Sequence, residues 1–286
     1  MPLSLTVSGQ TVYKSLLKKV GWVVVFGFAL IGFVLSSGYL ALRLGLTKEK
    51  GIIDRQDEVF INSAQDADMT SSSKEWARGQ EWQTLKSAIL KDSETIDRAA
   101  KDAGIEPRLL VAILVPEQLR LFHSEREIFK QIFEPLQILG NQNQFSWGIM
   151  GLKKETAEEI ENHLKDKKSE YYLGLAHEDI LDFETADIGQ ERFQRLTDDK
   201  DHYYNYLYAA LYLAQIEHQW NAAGYDISNR PEILATLYNI GFVHSEPKAN
   251  PSSGGSAIEI GGKTYSFGNL AGQFYYSKEL VDLFPR

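Results

Sequence analysis

Apolar and polar positions along most of the chain recur with the spacing of an α-helix. In five segments the apolar side chains return every three or four residues, which places them on one face of a helix. The segments are WQTLKSAILKDSETIDRAAKDAGI (82–105), RLLVAILVPEQLRLF (108–122), KKETAEEIENHLKD (153–166), YYNYLYAALYLAQIEHQWNAAGY (203–225) and PEILATLYNIGF (231–242). Gly104 and Gly224 stand at the ends of two of them, and Pro231 opens the last. The pattern predicts a mainly helical fold.

A short stretch near the carboxyl end alternates apolar and polar residues instead. In AIEIGGKTYSF, residues 257–267, the alternation runs on both sides of Gly261 and Gly262. Two consecutive glycines accept the positive φ angles of a tight hairpin turn, so the stretch predicts a β-hairpin. The expected fold class is therefore mainly α with a small C-terminal β-hairpin.

The amino-terminal region contains a long apolar run, VGWVVVFGFALIGFVLSSGYLAL (20–42). No charged residue stands between Lys19 and Arg43, and a helix of this length crosses a hydrocarbon layer of about 30 Å. The run predicts one transmembrane helix, an uncleaved signal anchor in preference to a removed signal peptide. The predicted organisation is a short N-terminal segment (1–19), the transmembrane helix (20–42), a linker (43–75) and one helical domain (76–286).

Composition and charge narrow the function classes. The chain has 286 residues and a formal net charge of −9, which argues against the basic surface that nucleic-acid binding requires. It contains no cysteine, so disulfides and thiolate metal sites are excluded. Its histidines form neither an HExxH motif nor an i, i+4 pair, so we expect no metal site and no cofactor.

One carboxylate interrupts the most apolar of the helical segments. In LLVAILVPEQLRLF (109–122), Glu117 shares a helix face with the leucines and isoleucine three, four and seven residues away. A buried acid needs a partner, a proton or a chemical role. Pro116 disfavours helical geometry just before the acid, which predicts a kink or a helix end and access for solvent or substrate. The structural alternative is that the Glu117 carboxylate is held by Arg108, by Arg120 or by a backbone hydrogen-bond donor and has no chemical role.

Four segments, in order along the chain, resemble motifs of lytic transglycosylases and goose-type lysozymes. IDRAAKDAGIEPRLLVAILVPE (96–117) is similar to the opening helix pair, which ends on the catalytic Glu. SWGIMGLKKETAEEI (146–160) resembles the second motif, a Ser-x-Gly segment followed by Met and by Thr-Ala at a helix start. NYLYAALYL (205–213) and LATLYNIG (234–241) are similar to the third and fourth motifs, an Asn-led helix and a Tyr-Asn-x-Gly turn.

The resemblance implies a lysozyme-like domain that cleaves the glycan strands of peptidoglycan between N-acetylmuramic acid and N-acetylglucosamine. Glu117 would be the single catalytic residue: kept protonated by apolar surroundings, it gives its proton to the glycosidic oxygen. A cell-wall substrate also implies a single-pass protein of the inner membrane whose domain faces the periplasm or the exterior. The substrate-binding residues implied are Tyr238, Asn239, Ser146, Met150 and Gln118.

Departures from the family pattern leave other hypotheses open. Gln118 stands where Ser usually follows the catalytic Glu, and Gly151 stands where Gln usually follows Met. These differences favour, as the alternative, a catalytically inactive member that binds glycan or scaffolds an envelope complex. A third class is an unrelated, membrane-tethered helical interaction domain.

The resemblance favours a lyase over a hydrolase, although muramidase hydrolysis stays open. A hydrolase needs a second carboxylate, about 5 to 5.5 Å away for a retaining mechanism or about 6.5 to 9.5 Å away for an inverting one. The candidates for that second group are Glu125, Glu127, Asp182, Glu184 and Asp187.

Overall fold

The computed structural model describes residues 74–123 and 147–286, together with the single residue Phe33. Within these ranges the chain is mainly helical, with one small antiparallel sheet, as the sequence pattern predicted. The α-helices are α1 (Gln80–Lys91), α2 (Ser93–Ala103), α3 (Pro107–His123), α4 (Lys154–Lys165), α5 (Ile188–Thr197), α6 (Tyr203–Ala222), α7 (Pro231–Ile240) and α8 (Phe267–Tyr275). Short 3-10 helices span Glu75–Ala77, Leu175–His177 and Phe242–His244, and the strands are β1 (Ala257–Ile260) and β2 (Lys263–Ser266).

Helix α3 lies at the centre of the core. Every residue from Leu109 to Val115 is at most 4% exposed, because α1, α2, α7, α8 and β1 pack around the helix. A helix that is surrounded on all sides is expected to be apolar all round rather than along one face. The carboxyl half of this core helix carries Glu117.

Pro116 does not end α3. The helix continues to His123, although a proline ring removes the backbone donor that would reach the carbonyl four residues earlier. Of the two outcomes expected beside Glu117, a kink or a helix end, the helix end does not occur, and the acid is only 3% exposed. Packing around the helix outweighs the local preference of the proline.

The C-terminal hairpin forms as predicted and closes one side of the core. Ile260 pairs with Lys263 across the turn, and the two turn glycines have φ angles of +59° and +76°. Strand β2 ends one residue earlier than expected, because Phe267 begins α8 and the Ser266 hydroxyl accepts a hydrogen bond from the Asn269 backbone N–H. Ile258 and Tyr265 are buried, so the hairpin caps the core.

The predicted transmembrane helix (20–42) lies outside the described residues except for Phe33, as do the predicted N-terminal segment (1–19) and all but the last two residues of the predicted linker (43–75). Among the helices that the structure describes, none combines the length and apolarity needed to cross a membrane. The described domain belongs to one compact unit, Gly51–Arg286.

Candidate active site

Three parts of the chain that are distant in sequence meet around Glu117. The first is α3, which carries the acid, and the second is the turn formed by residues Trp147–Leu152. The third is α7, whose Tyr238 hydroxyl donates a hydrogen bond of 2.8 Å to the backbone carbonyl of Met150 in that turn. Segments 96–117, 146–160 and 234–241, which were singled out from the sequence, therefore converge at one place.

The Trp147–Leu152 turn is closed by a hydrogen bond of 2.5 Å from the Trp147 N–H to the Leu152 carbonyl. Gly151 has a φ angle of +64°, in the left-handed region that favours glycine. A Cβ atom built on Gly151 would overlap the side chain of Glu117, including carboxylate oxygen Oε1. The backbone of the turn thus lies directly against the carboxylate, with no space between them for a side chain.

Glu117 is buried and ion-paired. Its Oε1 atom accepts a hydrogen bond of 2.5 Å from Nη2 of Arg120, one turn further along α3. The other arginine that the sequence offered, Arg108, is used elsewhere, because its guanidinium donates to backbone carbonyls of the C-terminal segment. Arg120 is therefore the arginine that pairs with Glu117.

Gln118 and Met150 contact the same turn. The Gln118 amide, half-buried, donates a hydrogen bond to the backbone carbonyl of Ile149, so it fastens α3 to the turn. Met150 is completely buried, and its carbonyl is the acceptor for Tyr238. Gln118 and Met150, two of the five predicted substrate-binding residues, thus have structural partners beside Glu117.

Tyr238 is fixed by packing as well as by its hydrogen bond. Its ring lies 5.0 Å from the ring of Tyr212 on α6, and the residue is 7% exposed. Burial, and after it the nearby charge of Glu117, raises the pKa of the Tyr238 phenol well above its ordinary value, whereas Arg120 acts in the opposite direction. The hydroxyl is therefore a neutral donor close to both charged groups.

The Asn-led segment 205–213 supports the turn from the other side. Asn205 is 1% exposed and its side chain donates a hydrogen bond of 2.9 Å to the Leu196 carbonyl at the end of α5. A Cβ atom on Gly148 would overlap both Asn205 and that carbonyl. The fourth motif-like segment thus also contacts the Trp147–Leu152 turn.

Asn239 points away from this cluster. Its side-chain oxygen accepts hydrogen bonds from the backbone N–H of Ser256, at 2.8 Å, and from the Ser256 hydroxyl, at 3.0 Å. Asn239, which the resemblance implied as a substrate-binding residue, thus ties the end of α7 to the segment that precedes β1.

Ser146 and two of the carboxylates considered for hydrolysis, Glu125 and Glu127, lie outside the described residues. Of the other three, Asp182 pairs with Lys165 at 2.5 Å, and Asp187 accepts the Gln190 N–H at the start of α5. Glu184 is exposed.

Across the described ranges, no group of three or more histidine, aspartate and glutamate side chains is arranged to hold a metal ion.

Arg120 was one of several partners that the sequence left open for Glu117. The i, i+3 spacing on one helix is the signal that favours Arg120, since side chains three residues apart are neighbours on a helix surface. The contact of Gly151 with the acid was not foreseen, because nothing local joins residues 117 and 151.

A scan against protein-family models, a search of curated proteins and a search of solved structures each find no match to this chain.

Proposed function

We propose that this chain is a membrane-anchored peptidoglycan lytic transglycosylase with a lysozyme-like domain and Glu117 as its catalytic residue. The observation that carries the proposal is the convergence of Glu117, Met150 and Tyr238, with a hydrogen bond of 2.8 Å from Tyr238 to the Met150 carbonyl. These residues come from three separate segments that resemble the family motifs. An unrelated interaction domain would have no need to bring those three segments together.

The reaction requires only one carboxyl group. Protonated Glu117 gives its proton to the oxygen that joins N-acetylmuramic acid to N-acetylglucosamine, and the bond from that oxygen to C1 breaks. The resulting carboxylate takes the proton of the muramic acid 6-hydroxyl, whose oxygen then bonds to C1. Glu117 is protonated again at the end, and the product is a 1,6-anhydro sugar. No cofactor is consumed.

The other residues of the cluster have roles in this proposal that follow from their positions. Tyr238, a neutral donor beside the acid, orients the carboxyl group or the sugar. Met150 and Gln118 form the wall that holds the turn against α3. Ser146, which the resemblance implies as a sugar contact, lies outside the described residues, and Asn239 holds the segment beyond α7 in place.

A catalytically inactive relative of such enzymes is the second candidate, and the Glu117–Arg120 ion pair favours it. A general acid must be free to give its proton to the substrate, whereas Oε1 of Glu117 already accepts a hydrogen bond of 2.5 Å from Arg120. In this alternative Glu117 is structural, and the domain binds glycan or scaffolds an envelope complex without cutting the strand.

Digestion of purified sacculi by the full-length chain tests the proposal. We expect mass spectrometry to find 1,6-anhydro-muropeptides with the wild-type protein and none with Glu117→Gln, which keeps the size of the side chain but cannot transfer the proton. Reducing-end products in place of anhydro products would mean hydrolysis. Sacculi that bind the protein but stay intact would support the inactive alternative.

The membrane anchor and the periplasmic location belong to the same proposal and have a separate test. A fusion of alkaline phosphatase, which is active only outside the cytoplasm, to the carboxyl end should be active if the domain faces the wall. An inactive phosphatase, together with an active cytoplasmic reporter at the same position, would contradict the enzyme proposal.

A further inference from the structure

Arg120 has donors that Glu117 does not use. Its Nη2 atom pairs with Glu117, but its Nε atom is buried without a hydrogen-bond partner in the described part of the chain. In a planar guanidinium, the Nε–H and one Nη–H lie parallel on one edge, which matches the two oxygens of a carboxylate. Glu117 occupies only one of these two positions, so this pair is a single contact rather than a fork.

The arginine is also the more accessible partner of the pair. The side chain of Arg120 is 13% exposed, whereas that of Glu117 is 4% exposed. An anion that approaches the pair therefore has more access to the side chain of Arg120 than to that of Glu117. An unsatisfied buried Nε–H is unfavourable, so a second acceptor on this edge is favoured.

We propose that Arg120 binds a carboxylate on the substrate, next to the bond that is cut, and thereby sets the specificity of the enzyme for acidic glycans. This inference rests on the proposed function. The carboxylate takes the two-donor edge of the guanidinium, and Glu117 loses its charge partner. Glu117 is then released from its ion pair and is available for the proton transfer that the reaction needs.

Two parts of peptidoglycan supply such a carboxylate. The lactyl group of muramic acid carries a free carboxylate when no peptide is attached, and an amide when one is. The stem peptide has carboxylates of its own. Neutral oligomers of N-acetylglucosamine have neither group, so Arg120 would distinguish them from both.

The first experiment compares the rates at which the full-length chain cleaves three glycan preparations. They are peptide-free strands, the same strands with their carboxylates converted to methylamides, and peptide-bearing strands. The wild-type protein should cleave the peptide-free strands at least about ten-fold faster than the methylamide form, the ratio that one charge-assisted hydrogen bond supplies. Equal rates on the peptide-bearing and peptide-free strands would mean that a stem-peptide carboxylate serves in place of the lactyl group, and slower cleavage of the peptide-bearing strands would assign the carboxylate to the lactyl group alone.

Variants at Arg120 show whether this residue is responsible. Arg120→Gln should cleave the carboxylate and methylamide strands at rates within two-fold of each other, and Arg120→Lys, which keeps the charge but not the fork, should give an intermediate ratio. Lys101→Gln is the matched control, because it removes one positive charge and one i, i+4 ion pair with Asp97 on α2. A ratio that persists in Arg120→Gln, or a wild-type ratio below two-fold, would overturn the inference and leave the proposed function standing.

A binding measurement does not depend on turnover. In Glu117→Gln, Arg120 has no charged partner, so calorimetry should find tighter binding of peptide-free strands than of their methylamides, by about ten-fold in Kd. The double variant Glu117→Gln/Arg120→Gln, which restores charge balance, should lose that preference. If no preparation is cleaved but this preference is found, the lytic activity is wrong and the carboxylate site stands. If the single variant shows no preference, the site is wrong.

Discussion

Gly151 illustrates how one residue decides the form of the site. Its φ angle of +64° and its contact with the Glu117 carboxylate leave no room for a side chain. A longer side chain, such as the glutamine of the motif that this segment resembles, could not be accommodated beside Glu117 without movement of the turn or of the acid. The glycine at this position is therefore coupled to the buried position of the carboxylate.

For the proposed lytic activity, we predict that Gly151→Ala lowers the rate of glycan cleavage by about 100-fold, because a displacement of the acid by about 1 Å has an effect of that size. The measurement is the release of anhydro-muropeptides from sacculi. Gly261→Ala in the hairpin turn is the control, since its φ angle of +59° is similar but nothing lies within 4 Å of the added Cβ. Equal activity of the two variants would mean that the contact of Gly151 with Glu117 has no part in the activity.

The hydroxyl of Tyr238 links α7 to the Trp147–Leu152 turn. We predict that Tyr238→Phe lowers the free energy of unfolding by about 1 kcal/mol, since the Met150 carbonyl loses its donor. That change corresponds to about 2 to 4 °C in Tm for a domain of this size. Tyr225→Phe is the control, because Tyr225 is 38% exposed. A Tyr238→Phe protein as stable as that control would mean that the bond contributes nothing.

At the scale of elements, α4 is held to the 3-10 helix Phe242–His244 by a histidine. The ring of His163 on α4 lies 4.6 Å from that of Tyr171 and 4.9 Å from that of Phe242. Its Nδ1 atom is 2.8 Å from the Ser169 hydroxyl. Burial lowers the pKa of His163, although the charges of nearby acids oppose the shift.

A lowered folded-state pKa gives a definite sign to the pH dependence. As pH falls through about 6.5, the unfolded chain takes up a proton at His163 before the folded protein does, so stability is lost below that pH and is intact above it. We predict that His163→Gln reduces the fall in Tm between pH 7.5 and pH 5, and that the exposed control His218→Gln does not. Parallel Tm curves for wild type and His163→Gln would contradict this prediction.

At the scale of the whole molecule, one buried arginine connects helix α3 to the carboxyl end of the chain. Arg108, near the start of α3, is fully buried and donates hydrogen bonds of 2.8 to 3.1 Å to five backbone carbonyls near the carboxyl end of the chain. They belong to Phe274, Tyr275, Ser277, Glu279 and Phe284. The helix that carries Glu117 is thus tied to the last residues of the chain.

We predict that Arg108→Met lowers the free energy of unfolding by about 3 kcal/mol or more, because several buried carbonyls lose their donor together. Hydrogen exchange of residues 274–284 should accelerate more than that of α6. Arg78→Met, at an exposed position before α1, is the control and should have little effect. Uniform acceleration throughout the domain would mean that Arg108 stabilises the fold without a particular tie to the C-terminal segment.

The local pattern was sufficient for most of the elements. Apolar spacing marked α1 to α4, α6 and α7, two glycines marked the hairpin turn, and the apolar run around Glu117 marked a core helix. These features depend on contacts within a few residues, which the sequence displays directly. Helices α5 and α8 lie outside the segments that the apolar spacing marked. The helix end, one of the two outcomes expected at Pro116, does not occur, because packing by other elements carries the helix to His123.

The sequence by itself thus determined most of the helices, the hairpin and the presence of one acid in an apolar segment. Only the tertiary structure decided that Arg120 rather than Arg108 pairs with Glu117, and that Gly151 lies against the acid. It also decided that the side-chain oxygen of Asn239 accepts a hydrogen bond from the Ser256 backbone N–H. The physical reason is that a buried polar group must find its partner wherever the packed chain supplies one, and that place is fixed by the whole fold rather than by neighbours in sequence.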